Sequence, residues 1–380
     1  MAPEFVRKEA MRERILVFGG SFDPPHQGHR ALVEAAKEKI HPDRTIIIPS
    51  YHSPWKNKSW ALPEDRFQMA KLAFPGAEIS RVEMLAGRLV YTVDVLGRLK
   101  KENPDSEIHF VVGSDLALRF KEWKNPPRLR ELAHWWTAAR PPFQGRIPRF
   151  FNVISSAMPE ISSTDLRVGF LMGEDRSREV SPAALKRILK RGLYGTTIIP
   201  ALGKILKAER LTHTISVATL ARKLAPIWGI DSFEAALAGL LHDAGRSVPI
   251  SGMKSYCQKR RLRVPLFREI SAYQPILLHA YISEDLSKRM FEIKTPEVLK
   301  AIRNHTLGAF NMGDLERLIY VSDACSEDRK YSEAAKLRKL AEKDPSRAFS
   351  ECLNGKIRHA VSLQGWIHPL PIQLWNSIIL

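Results

Sequence analysis

Apolar residues in the first half of the chain come in short runs. RILVF (14–18), TIIIP (45–49) and IHFVVG (108–113) are too short and too rich in β-branched residues for buried helices, and they read as buried parallel strands. Between them, His29–Ile40, Pro63–Phe74 and Tyr91–Lys101 place apolar residues three and four apart, the spacing of amphipathic helices. Strands alternating with helices predict a doubly wound, Rossmann-like parallel α/β sheet. Such sheets bind ligands at the carboxyl ends of their strands, at the topological switch point.

After about Gly195 the strand signal stops. Ile198–Trp228, Ser232–Ala244, Ile276–Phe291, Pro296–Asn304 and Asp314–Asp323 all carry helical periodicity. The second half is therefore expected to be all-α, with the boundary near Gly192–Gly203, where Gly and Pro recur. The expected domains are 12–197, 203–345 and a C-terminal helical tail, 346–380.

A length of 380 residues suits two domains. The formal net charge of +18 favours polyanionic ligands. No dense Lys/Arg tract with interleaved aromatics stands out, so nucleotides are favoured over nucleic acid. Cys257, Cys325 and Cys352 form no CxxC pair, which argues against a disulfide framework or a zinc ribbon. The charged start, MAPEFVRKEAMRERI, has no apolar signal region. No apolar run approaches the roughly 20 residues of a spanning helix, so a cytoplasmic protein without membrane partners is expected. A homo-oligomer is left open.

The first chemical signal follows directly on RILVF. It is the string Gly19-Gly20-Ser21-Phe22-Asp23-Pro24-Pro25-His26-Gln27-Gly28-His29, and a helix begins at its end. Glycines let the backbone approach a phosphate, and a helix N-terminus adds N–H donors and a positive dipole end. His26 and His29 sit where that helix begins, so both can face one anion. Nucleotidyl transfer needs in-line positioning and stabilisation of developing charge, which two histidines provide without a nucleophile.

These residues resemble the GxFDPxHxGH signature of the nucleotidyltransferase superfamily, in particular bacterial nicotinate-nucleotide adenylyltransferases. Ile161-Ser162-Ser163-Thr164-Asp165-Leu166-Arg167 resembles that family's ISSTxIR motif, which binds the phosphates of ATP. Gly113-Ser114-Asp115 is similar to its GxD, with Asp115 on the adenosine side. Tyr91-Thr92-Val93-Asp94 is similar to YTxDT, Trp123 to a tryptophan near the nicotinate, and Lys56 to the lysine of PPHK. The resemblance covers roughly residues 12–197. It implies ATP with Mg²⁺ and a mononucleotide acceptor, with His26, His29, Lys56 and Arg167 in catalytic roles. Trp55, Val90 and Pro142 depart from the family's PPHK, SYT and RPG segments, all toward the acceptor side. Nicotinamide mononucleotide or phosphopantetheine therefore stays open as the acceptor.

The second signal is the set His213, His242-Asp243, His279, His305 and Asp323. His242-Asp243 ends the apolar run AALAGLL, where an unpartnered charged pair would be costly to bury and a metal would satisfy it. Imidazole and carboxylate together suit Fe, Mn, Co or Zn, with Fe or Mn preferred. Six ligands exceed one tetrahedral ion, so two metals are expected, an arrangement that activates water and clamps a phosphate oxygen. The pattern resembles HD-domain phosphohydrolases: RLTH (210–213) matches RxxH, LLHDAG (240–245) the HD core, and Asp323 the closing aspartate. His279 and His305 point to the YqeK-like branch, which cleaves diadenosine tetraphosphate into two ADP. Arg246 stands where that branch has lysine and is a second-site phosphate ligand on this reading. The resemblances together imply a bifunctional enzyme. It would make deamido-NAD from ATP and nicotinate mononucleotide, and hydrolyse a dinucleoside polyphosphate. A nucleotide-sensing scaffold with one inactive site is the alternative from another class.

Overall fold

β1 (Arg14–Gly20) lies inside a six-stranded, all-parallel sheet in a computed structural model that describes residues 12–52, 59–138, 147–155 and 158–379. β2 (Arg44–Pro49) and β4 (Glu107–Gly113) flank it. With β3 (Glu78–Ile79), β5 (His134–Ala138) and β6 (Asn152–Ile154) the order is β3-β2-β1-β4-β5-β6. The order reverses between β1 and β4, which defines the switch point.

The period of two along each strand explains the double winding. Ile15 and Val17 enter one core, with Ile46, Ile48, Phe110, Val95 and Leu129. Leu16 and Phe18 enter the other, with Leu32, Val33, Ile47 and Ala70. Helices α1 (Gln27–Ile40) and α2 (Pro63–Ala73) cover the second face. After α3 (Val82–Ala86), α4 (Thr92–Glu102), α5 (Ser114–Leu118) and α6 (Pro126–Leu132) cover the first. α7 (Ser163–Leu171) and α8 (Pro182–Arg191) follow. The expected α/β fold class is present. β3, β5 and β6 have two, five and three residues, too few for periodicity to reveal them.

The remaining helices are α9 (Ile198–Ile205), α10 (Ala208–Leu224), α11 (Ser232–Leu241), α12 (Ile250–Arg260), α13 (Phe267–Tyr273), α14 (His279–Met290), α15 (Pro296–Asn304), α16 (Asp314–Cys325), α17 (Ser332–Ala341), α18 (Pro345–Ser362) and α19 (Pro369–Ile379). No strand occurs here among the described residues, as expected. Described residues 12–166 and 175–194 form one compact unit, and 167–174 with 195–379 form the other.

Three expected helices differ in detail. Ile198–Trp228 is two helices, broken where Leu206 turns extended (ψ 148°). Leu202 and the extended Leu206 are both buried, so the apolar pattern runs on through the break. The helix from Ser232 ends at Leu241, which frees His242 and Asp243 from regular helix. The helix expected from Ile276 starts instead as a 3-10 turn, Pro275–Leu278, and becomes α-helical at His279. Among the described residues, no helix is long and apolar enough to cross a membrane.

Two candidate catalytic sites

A cavity of about 930 Å³ opens in the first unit, walled by the carboxyl ends of β1 and β4. Gly19, Gly20, Ser21, His26, Gly28 and His29 line it from the first loop and α1. Tyr91, Thr92, Gly113, Asp115 and Trp123 line it from the α4 and β4–α5 side, and Ile161, Ser162, Ser163 and Thr164 from the start of α7. Four separate pieces of sequence thus converge on one space.

The two histidines form a unit. Their rings stack with centroids 3.7 Å apart. The backbone N–H of His26 donates to His29 Nδ1 at 3.2 Å. His29 Nδ1 is therefore an acceptor, and the neutral ring carries its proton on Nε2. Gly28 makes room for this pair: a Cβ there would come within 3.0 Å of His26 Nδ1. Ser162 Oγ accepts from the N–H of Asp165 and starts α7, while Ser163 Oγ donates to the carbonyl of Pro24, tying the two phosphate-type loops together. Trp123 lies over Phe120 and donates Nε1–H to the carbonyl of Leu116, so it belongs to both the cavity wall and the aromatic core.

Three of the expected residues that the structure describes stand apart from the cavity wall. Phe22 and Asp23 are buried outside it. Asp23 accepts from the N–H groups of Trp60 and Ala61 and from the Tyr194 hydroxyl, a tie between distant segments. Arg167 is buried and does not line the cavity. Lys56 lies outside the described residues, as do Trp55 and Pro142.

Two residues of this site are not foreshadowed in the sequence. The guanidinium of Arg66, fully buried on α2, donates to the carbonyls of Ser21, Ser50, Tyr51 and Ala61 and so shapes the loops behind β1 and β2. Burial lowers its pKa from the usual arginine value. Glu83, on α3, lines the cavity and accepts from the N–H of Tyr51. Burial pushes its carboxyl up to about 7, with the Tyr51 N–H and Arg66 opposing. An isolated Arg or Glu on an ordinary helix carries no motif that would single it out.

The second unit brings all six expected ligands together. His213 comes from α10, His242 and Asp243 from the end of α11, His279 from the start of α14, His305 from the end of α15, and Asp323 from α16. Ligand atoms of His213, His242 and Asp243 lie within 4.8 Å of one another, as do those of Asp243, His279 and His305. Asp243 belongs to both groups. His213 Nε2 is 3.1 Å from Asp323 Oδ1, and His242 Nε2 is 3.8 Å from the same oxygen.

The imidazoles are oriented by the backbone. His242, His279 and His305 each donate Nδ1–H to the carbonyl three residues earlier, at 2.7, 2.6 and 2.7 Å. Each lies at a helix end, where such carbonyls have no helical donor. Every Nε2 lone pair is thereby turned inward. Asp328 does the same for His213, holding Nδ1 at 2.7 Å. Burial keeps His242 and His305 below the usual histidine range, so both stay neutral and can donate a lone pair. For Asp243, burial alone would raise the carboxyl. His242, His279 and His305 outweigh it and hold Asp243 ionised, well below the carboxylate range. Such a set of imidazoles around an ionised carboxylate fits divalent metal.

Cationic side chains ring the cluster. Arg210 donates to Asp243 Oδ2 at 2.7 Å, Arg246 Nε lies 4.0 Å from Asp243 Oδ1, and Arg329 donates to Asp323 Oδ1 at 2.9 Å. Gly245 lets the turn carrying Arg246 close on α14. A Cβ there would collide with the carbonyl of His279, and its N–H donates to Ser283 Oγ. Lys356 is unforeseen. It comes from α18, in the tail, donates to the carbonyl of His305 at 2.9 Å and lies 3.6 Å from Asp323 Oδ2.

Fold and sites define an α/β nucleotidyltransferase of the HxGH type joined to a helical metal-dependent phosphohydrolase of the HD type. Residues 17–169 match the cytidylyltransferase-like family and residues 210–329 the HD domain family. A protein of Mycoplasma genitalium named "probable nicotinate-nucleotide adenylyltransferase/Ap4A hydrolase" is 27% identical over 351 residues, covering 89% of this chain and 96% of its own length. A "probable nicotinate-nucleotide adenylyltransferase" of Rubrobacter xylanophilus is 32% identical over 212 residues, 52% of this chain and 99% of that protein. The crystal structure of a "predicted HD superfamily hydrolase involved in NAD metabolism" from Clostridium acetobutylicum is 29% identical and covers 48% of this chain and 95% of its own, with a TM-score of 0.46. The chain belongs to the nicotinate-nucleotide adenylyltransferase family, in an arrangement that carries an HD domain behind the transferase.

Proposed function

We propose that the first unit transfers the adenylyl group of ATP to nicotinate mononucleotide, giving deamido-NAD and pyrophosphate. The supporting observation is the convergence of the His26–His29 pair and the start of α7 on one cavity at the β1/β4 switch point. The acceptor phosphate attacks the α-phosphorus in line, and pyrophosphate leaves. His29 donates its Nε2–H, and His26 adds a second imidazole, to the oxygens where charge develops. Ser162, Ser163 and Thr164 hold the β- and γ-phosphates at the N-terminus of α7, and Asp115 orients the adenosine. Mg²⁺, when bound with ATP, neutralises charge on the β- and γ-phosphates. Trp123 and Tyr91 shape the acceptor side. Arg167 and Lys56 are assigned to phosphate on the family pattern.

The second unit hydrolyses a dinucleoside polyphosphate, with diadenosine tetraphosphate the substrate and ADP the product. The supporting observation is two ligand groups sharing Asp243. His213, His242, Asp243, His279, His305 and Asp323 would hold two divalent metals, iron or manganese by ligand chemistry. When bound, such metals supply an activated water and a charge clamp on phosphate. Arg246 and Arg210 place positive charge beside Asp243 for the substrate's phosphates. The working domains are 12–197 for transfer and 203–345 for hydrolysis, with 346–380 completing the second site through Lys356. Nucleotides are the only partners this reading requires.

Chromatography of the full chain with ATP, Mg²⁺ and nicotinate mononucleotide tests the first half, with nicotinamide mononucleotide in parallel. A deamido-NAD peak supports it. A peak only with the amide acceptor reassigns the acceptor, and Val90 in the cavity wall marks where to look. Diadenosine tetraphosphate with Mn²⁺ tests the second, where ADP as sole product is expected.

A further inference from the structure

α13 ends on Tyr273, whose side chain is 65% exposed. An exposed aromatic usually projects alone. This one lies against Trp366, from the segment between α18 and α19, with ring centroids 5.8 Å apart and planes 30° apart. His368 packs edge-on against Trp366 at 5.6 Å. Its Nδ1 accepts from the N–H of Leu370, so the neutral ring holds its proton on Nε2. That buried nitrogen has no hydrogen-bond partner among the described residues. An exposed tyrosine ring held against a half-buried tryptophan has the chemistry of a nucleobase platform.

The surroundings fit a nucleotide. Lys254, Lys259, Arg261, Arg263 and Arg268, on α12, α13 and the loop between them, are exposed. None forms an ion pair among the described residues, whereas neighbouring Arg260 is paired with Asp285. An unneutralised basic stretch leading in sequence to an aromatic platform matches the two ends of a nucleotide, polyphosphate and base. The chain path from the platform to the cluster is short. Only six positions separate Tyr273 from His279, and a 3-10 turn takes up most of them, so the two Cα atoms are within roughly 15 Å. Ile276, inside that turn, is the residue whose carbonyl holds His279. A nucleoside with two phosphates spans such a gap.

We propose that Tyr273 and Trp366 form the base-binding subsite of the second unit, taking one adenine of the dinucleoside polyphosphate while its phosphate chain reaches the histidine cluster. The proposal rests on the hydrolase reading for its substrate. It adds a specificity element: the site selects polyphosphates that end in an aromatic base.

The test uses the full chain in two measurements. The first is photolabelling with 8-azido-ADP, followed by peptide mapping. Label on the peptides carrying Tyr273 or Trp366, competed by excess ADP, is expected. Label confined to the first unit overturns the proposal. The second is steady-state hydrolysis by Tyr273→Ala and Trp366→Ala, with metal content checked to exclude misfolding. KM for diadenosine tetraphosphate should rise about tenfold or more, the usual effect of losing one base stack, with kcat nearly unchanged. Cleavage of bis(p-nitrophenyl) phosphate, which has no base, should stay within twofold. A KM unchanged for the dinucleotide, or lost equally for both substrates, overturns the subsite. If the wild-type chain cleaves no dinucleotide yet labels at Tyr273 or Trp366, the hydrolase reading fails and the base site stands.

Discussion

The Nε2 atoms of His279 and His305 lie 3.0 Å apart while both Nδ1–H groups are bonded to backbone carbonyls. In neutral rings this points two lone pairs at each other. Thr306 Oγ1 is 2.9 Å from one and 3.3 Å from the other, but a single hydroxyl has one proton to give. Asp243 Oδ1, ionised, is 3.2 Å from His279 Nε2 and adds a third electron-rich atom. The arrangement calls for a cation, and a divalent metal satisfies all three at once.

Removing divalent metal should therefore destabilise the chain as well as stop hydrolysis. Dialysis against a chelator is expected to lower the thermal midpoint and to abolish cleavage of diadenosine tetraphosphate, with Mn²⁺ or Fe²⁺ restoring both. A site filled at a hundred to a thousand times its Kd contributes about 3–4 kcal/mol to the folded state. Adenylyl transfer, assayed after Mg²⁺ is returned, should survive. Calorimetry on apo and reloaded protein decides it: no shift in midpoint would mean that the cluster is a polar network without metal.

Lys356 should control how tightly that metal is held. Its Nζ joins the carbonyl of His305 to Asp323 and sits 3.7 Å above the Tyr320 ring. Lys356→Met keeps the stem over the ring and removes the charge. Groups that orient metal ligands typically matter 10- to 100-fold in affinity, and a loss of about that size is expected in chelator titrations. Retention equal to wild type would reduce Lys356 to a packing residue.

That lysine also shows where sequence reading stops. The six candidate ligands could be picked out because residue types with strong chemistry recur in a spaced order, and the fold brings their side chains together. The GGSFDPPHQGH string was legible because strand, glycines and helix start are contiguous. Lys356 lies 33 positions beyond Asp323, in a tail without motif or strong punctuation, and only packing of α18 brings it home. Arg66 looks like any helix surface arginine until its four carbonyl partners are seen. Asp23 shows what a motif leaves unsaid: its oxygens accept from Trp60, Ala61 and Tyr194, partners that only the fold brings to it. Motif membership reports that a residue matters, while the fold decides whether it meets ligand or scaffold.

His29 should matter to transfer rather than to binding. Its Nδ1 is held by the His26 N–H, which fixes the ring and puts the proton on Nε2. His29→Ala is expected to lower kcat for deamido-NAD formation by about 10²–10³, the usual loss for one donor to developing charge, with KM for ATP changed only a few-fold. Hydrolysis by the second unit is the internal control for folding. A large rise in KM at constant kcat would instead make His29 a ground-state phosphate ligand.

Glu83 should leave a signature in stability against pH. Burial raises its carboxyl to about 7, while the Tyr51 N–H and the Arg66 guanidinium pull the other way. The folded chain therefore keeps a proton that the unfolded chain releases in the ordinary glutamate range. Its contribution is fully present below about pH 4.5 and is lost as pH rises through 7. A shift of that size corresponds to about 3 kcal/mol across the window. Glu83→Gln keeps the shape and cannot ionise, so the variant should gain stability relative to wild type as pH climbs from 5 to 8 and level off above that. Urea melts at pH 5, 6, 7 and 8 on both proteins measure it directly. If the two curves stay parallel, Glu83 is ionised in the folded chain at all four values, and its carboxylate, sitting in the cavity wall, would repel rather than accommodate an anionic acceptor.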